Sequence, residues 1–253
     1  MTISLKDWTR FTARLSAISK KAADELRVWV NRQGGLDAID RQALIDYAFA
    51  LATKYGEGSG ALAAAWYDAV AEASGQFLPA AEVASTASYA ETAKAVNGVL
   101  DVSLNEETLA GAVERLAKLP GLDTTLRNAA RDRAEVAWIP MGETCAFCLV
   151  LASNGWRRAS ARMLRDGHAR HVHANCNCTY AVRFDSNTAV AGYDPARYRE
   201  IYDDAPGGSS SAKINAMRRE FYAENREQIR AQQNSAYEKR IELNSSAAEE
   251  ADV

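Results

Sequence analysis

All four cysteines and all three histidines of the chain fall between positions 145 and 178, as Cys145, Cys148, Cys176 and Cys178 with His168, His171 and His173. Thiolates and imidazoles are the ligands of a structural zinc ion, which takes four of them in a closed tetrahedral shell. The pair Cys145 and Cys148 forms C-x-x-C, a spacing that brings two sulfurs to one ion from a single tight turn, and Gly142 lets the chain bend just before it. His173, Cys176 and Cys178 supply a distant second half with H-x-x-C and C-x-C spacing. Five candidates thus compete for four places. In a regular strand Cys176 and Cys178 would share a face; in a bend they would diverge. The set Cys145, Cys148, His173 and Cys176 is the first choice, with Cys178 as the competing ligand. Two disulfides, buried inert thiols or a redox C-x-x-C are the alternatives. Residues 1–10 are polar and carry no signal-peptide pattern. The expectation is a reducing cytosol, where structural disulfides are disfavoured. His168 and His171 lack comparable spacing and read as surface histidines.

The run G-E-T-C-A-F-C-L-V-L-A-S-N-G-W, followed after an Arg-rich link by H-V-H-A-N-C-N-C, resembles the signature of phage minor head proteins of the Mu F type, in the form found in actinobacterial phages and prophages. That signature is C-x-x-C, a short apolar run, a glycine, a variable link and H-x-N-C-x-C. It falls here on Cys145, Cys148, Gly155, His173, Asn175, Cys176 and Cys178. The resemblance implies a minor capsid protein of the virion that acts in head morphogenesis. It would associate with portal and capsid proteins, acting in assembly or travelling with the DNA.

Catalytic readings find less support. H-E-x-x-H is absent, so the general base beside a two-histidine zinc pair is missing. A cysteine protease drawn from Cys145 or Cys148 with His171 needs a free thiolate, which metal ligation would forbid. A metal-dependent nuclease built on His168 and His171 beside Asp166 rests on composition alone. No residue is assigned a catalytic role; a capsid-processing protease or nuclease, and a nucleic-acid-binding zinc module, stand as the alternative functions.

The elements that must position these residues are mostly helical. Hydrophobic residues make up 47% and charged residues 25% of the 253 positions, ordinary globular usage. No run approaches the roughly 18 apolar residues of a membrane span. The net charge of −3 argues against a general nucleic-acid binder, yet it is unevenly spread. Residues 126–183 hold nine Arg and four acidic residues, a balance of +5 that leaves −8 for the remainder. Arg157, Arg158, Arg162, Arg165 and Arg170 are therefore candidates for contact with a phosphate backbone or an acidic partner, against a merely solvated surface.

Apolar periodicity predicts a first helix over residues 4–33, with Trp8, Phe11, Leu15 and Ile18 on one stripe. Others follow over 37–55 and 61–74, separated by a flexible turn at Gly56, Gly58 and Gly60, and a fourth runs from Pro79 to Leu100. Ser103 to Glu106 reads as a capping box, opening a helix that ends at Pro120-Gly121. Asp123 caps the next, which ends before Pro140. Then come a short helix over 146–153 stopped by Gly155, another over 160–165, a strand over 179–184 and a small helix over 196–203. A Gly/Ser linker over 206–211 leads to a charged helix over 212–243, expected to dock on a neighbouring protein. The division expected is a helical N-terminal domain (1–121), a zinc-stapled α+β module (122–190), a helical C-terminal extension (191–243) and a disordered acidic tail (244–253).

Overall fold

A computed structural model of the chain describes residues 2–102, 105–141, 145–165, 176 and 178–224. β1 (Thr2–Ile3) leads into α1 (Leu5–Arg32), where the Ser4 side chain accepts from the Asp7 N–H. A 3-10 turn at Leu36–Ala38 precedes α2 (Arg41–Ala73), α3 (Tyr89–Leu100) and α4 (Glu106–Arg131). The smaller elements are β2 (Glu135–Ile139), α5 (Ala146–Ser153), β3 (Arg157–Arg158), α6 (Ala161–Arg165), β4 (Thr179–Arg183), β5 (Ala189–Val190), α7 (Pro195–Asp204) and α8 (Ser210–Glu224). The protein is mostly α, with a small sheet module after the bundle. β3, β2 and β4 form an antiparallel sheet in that order, and β1 pairs with β5 in parallel.

The long helices differ from the expected ones, and each difference has a packing cause. α2 runs unbroken through Gly56, Gly58 and Gly60, where a turn was expected. A Cβ at Gly60 would stand 2.6 Å from Val83 Cγ1, and one at Gly56 would stand 3.1 Å from Pro120 Cγ. These two glycines permit close approach, and the packing outweighs their helix penalty of about 1 kcal/mol each. α4 likewise continues through Pro120-Gly121, where an end was expected, so Asp123 lies mid-helix instead of capping. Pro120 withholds the N–H that the Leu116 carbonyl would accept, but a Cβ at Gly121 would be only 3.1 Å from Ser59 O. The helices are pressed together at that point, and the contact outlasts the missing bond.

The segment from Pro79 is extended, not helical, until α3 begins at Tyr89. Its amides go to side chains: Ala81 N–H to Asp68 Oδ1, Glu82 N–H to Asn128 Oδ1 and Ala84 N–H to Thr124 Oγ1, all at 2.9 Å. The capping box sits at Ser88 and Glu91. At α4 the cap is Asn105, accepting from Thr108 N–H; Ser103 lies outside the described residues. The helix expected before Pro140 is strand β2. α4 closes with Arg133 at φ 55° and Ala134 N–H donating to Ala129 O, a left-handed termination, and Val136 to Ile139 are then buried on both faces.

Two apolar clusters result. One lies where α1, α2, α3 and α4 meet, around Leu26, Val30, Leu44, Leu51, Val96 and Val113. The other joins Trp8, Phe11, Tyr67 and Leu126 of the bundle to Val136 and Tyr180 of the sheet, and it includes Cys148, Cys176 and Cys178. α8 packs against α5 of its own chain, with Ala216 and Met217 buried. Lys213 Nζ donates to the carbonyls of Tyr202 (3.0 Å) and Asp203 (2.7 Å). The described part of the last helix is thus strapped to its own module; residues 225–243 of the helix expected to dock on a neighbouring protein lie outside the described residues. The expected acidic tail lies outside the described residues.

The helix crossing can be tested by adding one methyl group. Gly121→Ala should destabilise the protein by about 1–3 kcal/mol in denaturant unfolding, the usual range for overpacking. Gly98→Ala in α3, where the added Cβ meets nothing within 4 Å, should instead gain about 0.5–1 kcal/mol from helix propensity.

Candidate metal centre

The two halves of the cysteine motif are brought together by β2. It runs antiparallel to β4, so the residues just before Thr179 lie beside its far end, at Ile139. α5, which starts at Cys145, packs on the same strand. Cys148, Cys176 and Cys178 place their sulfurs within 4.8 Å of one another, and these residues are 1%, 5% and 2% exposed. Cys145 is the N-cap of α5, its sulfur accepting from the Cys148 N–H at 3.5 Å.

The distances discriminate between chemistries. Cys148 Sγ and Cys176 Sγ are 3.4 Å apart, far beyond the ~2.0 Å of a disulfide bond. None of the four cysteines is in a disulfide. Two thiolates on a tetrahedral zinc ion, each ~2.3 Å from the metal, stand about 3.8 Å apart, so a small relaxation would admit the ion. Cys148 is the hub. Hydrogen bonds to Cys145, then Cys176 and Cys178, hold its thiol well above the ordinary range. Bonds from Cys148 and Cys178, aided by the charge of Lys118, hold the Cys176 thiol well below it.

Lys118 was not singled out by sequence reasoning. It projects from α4, is 3% exposed, and donates from Nζ to the carbonyl of Cys176. Burial pushes its ammonium below the ordinary lysine range, while the nearby thiols and Glu114 act in the opposite sense. An ammonium buried beside three sulfurs suits a centre whose thiolates carry negative charge, because a buried charge without a counter-charge is costly. The one signal in the sequence was a lysine on the same helical face as Ala110, Glu114, Ala117 and Gly121.

The donor set therefore fits a thiophilic metal ion, with Cys148, Cys176 and Cys178 as one cluster and Cys145 adjoining it. His173, the expected imidazole ligand, lies outside the described residues, as do His168, His171, Gly142 and Arg170. Cys178, placed second to Cys176 on spacing, shares the cluster with it. Arg157 and Arg158 form β3 and are exposed, Arg162 is exposed on α6, and Arg165 is the last residue of α6.

Lys118→Met separates a metal centre from a nest of thiols. On a metal–thiolate centre the change should weaken metal retention about tenfold, as for other groups behind the ligands, read by competition with a chromophoric chelator. On metal-free thiols it would merely remove a buried charge and raise the melting temperature.

Compared with the curated proteins and with the solved structures, the chain matches none. Among protein families, the one described as VG15 protein matches residues 2–205. That span runs from β1 to the end of α7, taking in the helical bundle, the sheet and the cysteine cluster and leaving out α8. A match over most of the chain that treats bundle and cysteine module as one unit is decisive: the chain belongs to the VG15 protein family.

Proposed function

We propose that this chain is a minor head protein of a phage, acting in head morphogenesis at the portal or inner capsid, and that its cysteine cluster is a structural zinc site. Membership of a viral gene family supports a phage-encoded protein. The finer reading is carried by one observation: Cys148, Cys176 and Cys178, from both halves of the Mu F-like signature, converge on a single buried cluster within the core that joins the bundle to the sheet, with Cys145 adjoining it. Buried thiolates with little exposure suit an ion that fastens a fold, whereas catalytic zinc keeps a position open to water or substrate. Cys145, Cys148, Cys176 and Cys178, with His173 as the competing fourth ligand, would hold the ion. Its contribution would be to crosslink α5 to the start of β4.

Portal and capsid proteins are the partners this reading implies, and the virion is its location. Among the described residues no helix is long and apolar enough to cross a membrane. The exposed Arg157, Arg158 and Arg162 belong to the basic part of the chain and are the side chains best placed to meet packaged DNA.

Two measurements test the reading separately. Elemental analysis of protein purified without chelator should find about one zinc per chain, and stripping it should lower the melting temperature by about 10 °C. Cys148→Ser and Cys176→Ser should each abolish that zinc; a metal-free protein of unchanged stability would refute the staple. Mass spectrometry of purified phage heads should find the chain in wild-type particles. Its absence from them, with normal head yield when the gene is deleted, would refute the head-protein role whatever the metal result.

A further inference from the structure

Beside the three-stranded sheet lies a cavity of about 440 Å³, bounded by β2, β3, β4, α5 and α6. Val136, Leu151 and Met163 give it apolar walls, and Arg157, Arg158 and Arg162 also line it, with no Asp or Glu among the described lining residues. β3 is held in place by pairing Arg157 with Val136 and Arg158 with Glu135, and by an Ala159 N–H bond to Ala134 O at 2.9 Å.

Two further lining residues, Trp138 and Tyr180, are cross-strand partners packed edge to face, with ring centroids 4.8 Å apart. They are 3% and 2% exposed, and neither Trp138 Nε1 nor Tyr180 Oη has a hydrogen-bond partner among the described residues. Leaving such a group unsatisfied costs about 1–3 kcal/mol, and native folds seldom keep two side by side without a use for them.

The chemistry of the lining selects the ligand. Indole N–H and guanidinium groups only donate, and a protonated phenol can donate as well. The complement is an anion rich in acceptors, and guanidinium groups match phosphate oxygens in pairs. A bare phosphate would leave most of the volume empty. A phosphate attached to a nucleoside would use the apolar walls and the aromatic pair too, since bases and sugars favour such surfaces.

We propose that this cavity binds a nucleotide phosphate, with Arg157, which shares the Val136 and Trp138 face of the sheet, and Arg162 of α6 taking the phosphate and Trp138 Nε1 and Tyr180 Oη hydrogen-bonding the enclosed part of the ligand. The source is either the end of a single DNA strand or a free nucleotide. The proposal does not rest on the head-protein reading.

The test uses the full-length protein and fluorescence anisotropy with a 3′-labelled, 5′-phosphorylated single-stranded hexanucleotide, competed by dAMP. Tyr180→Phe keeps the ring and deletes its donor, Trp138→Phe keeps an aromatic ring but loses the pyrrole part of the indole with its N–H, and each should weaken binding about tenfold. Arg157→Gln and Arg162→Gln, both at exposed positions, should weaken it at least as much. A hexanucleotide that dAMP displaces only at large excess identifies a strand end as the source, and equal competition identifies a free nucleotide; both uphold the site. Should either aromatic variant fail to fold, wild-type protein irradiated with 5-iodouracil-containing ligand should crosslink at Trp138 or Tyr180. The proposal is overturned by absence of binding, by crosslinks only elsewhere, or by equal competition from a polyglutamate peptide. It is also overturned if the arginine changes abolish binding while folded Trp138→Phe and Tyr180→Phe leave it intact, which would mark simple surface attraction.

Discussion

A lysine ammonium in the protein interior is the constraint around which the cysteine module is built. Lys118 reaches from α4 to the carbonyl of Cys176, and so ties the longest-range part of the cysteine motif to the central helix of the bundle. The arrangement requires negative charge nearby, because desolvating an ammonium costs more than one carbonyl bond returns. Three sulfurs gathered beside it supply that charge once they are thiolates. Lysine and cysteines therefore make physical sense together, each as the compensation for burying the other, and the metal reading follows from their combination more than from either alone.

That contact depends on α4 being continuous through Lys118 and Pro120. The helix passes Pro120 without ending, and just beyond it Gly121 lets the backbone of α2 come near at Ser59. The extended segment from Pro79 lies over the same crossing and hands its amides to Thr124 and Asn128 of α4 and Asp68 of α2. A close helix crossing thus lies beside Lys118. The sheet then serves two sites: its β2–β4 pair brings C-x-C to C-x-x-C, and its β2–β3 side carries the arginines to the rim of a cavity lined by Trp138 and Tyr180.

The sequence by itself determined the mostly helical class, α1, the short helix that begins at Cys145, the strand after Cys178 and the clustering of every thiol in one module. These depend on local signals: a 3.6-residue apolar period, an apolar run that starts at the C-x-x-C and stops at Gly155, and the strand composition of T-Y-A-V-R-F. Tertiary structure decided whether glycine and proline interrupt a helix. Gly56, Gly60 and Pro120-Gly121 carry the residue types of turns, and only the neighbouring helix reveals that the missing side chains make room for contact. It also decided that 79–88 is extended, since its hydrogen-bond partners lie more than ten residues away. It decided that Cys178 joins Cys148 and Cys176, because spacing cannot say which way two alternate residues face in an irregular run. Lys118, Trp138 and Tyr180 were beyond reach for the same reason. A polar group matters at a site when burial removes its alternatives, and burial is a property of the packed chain.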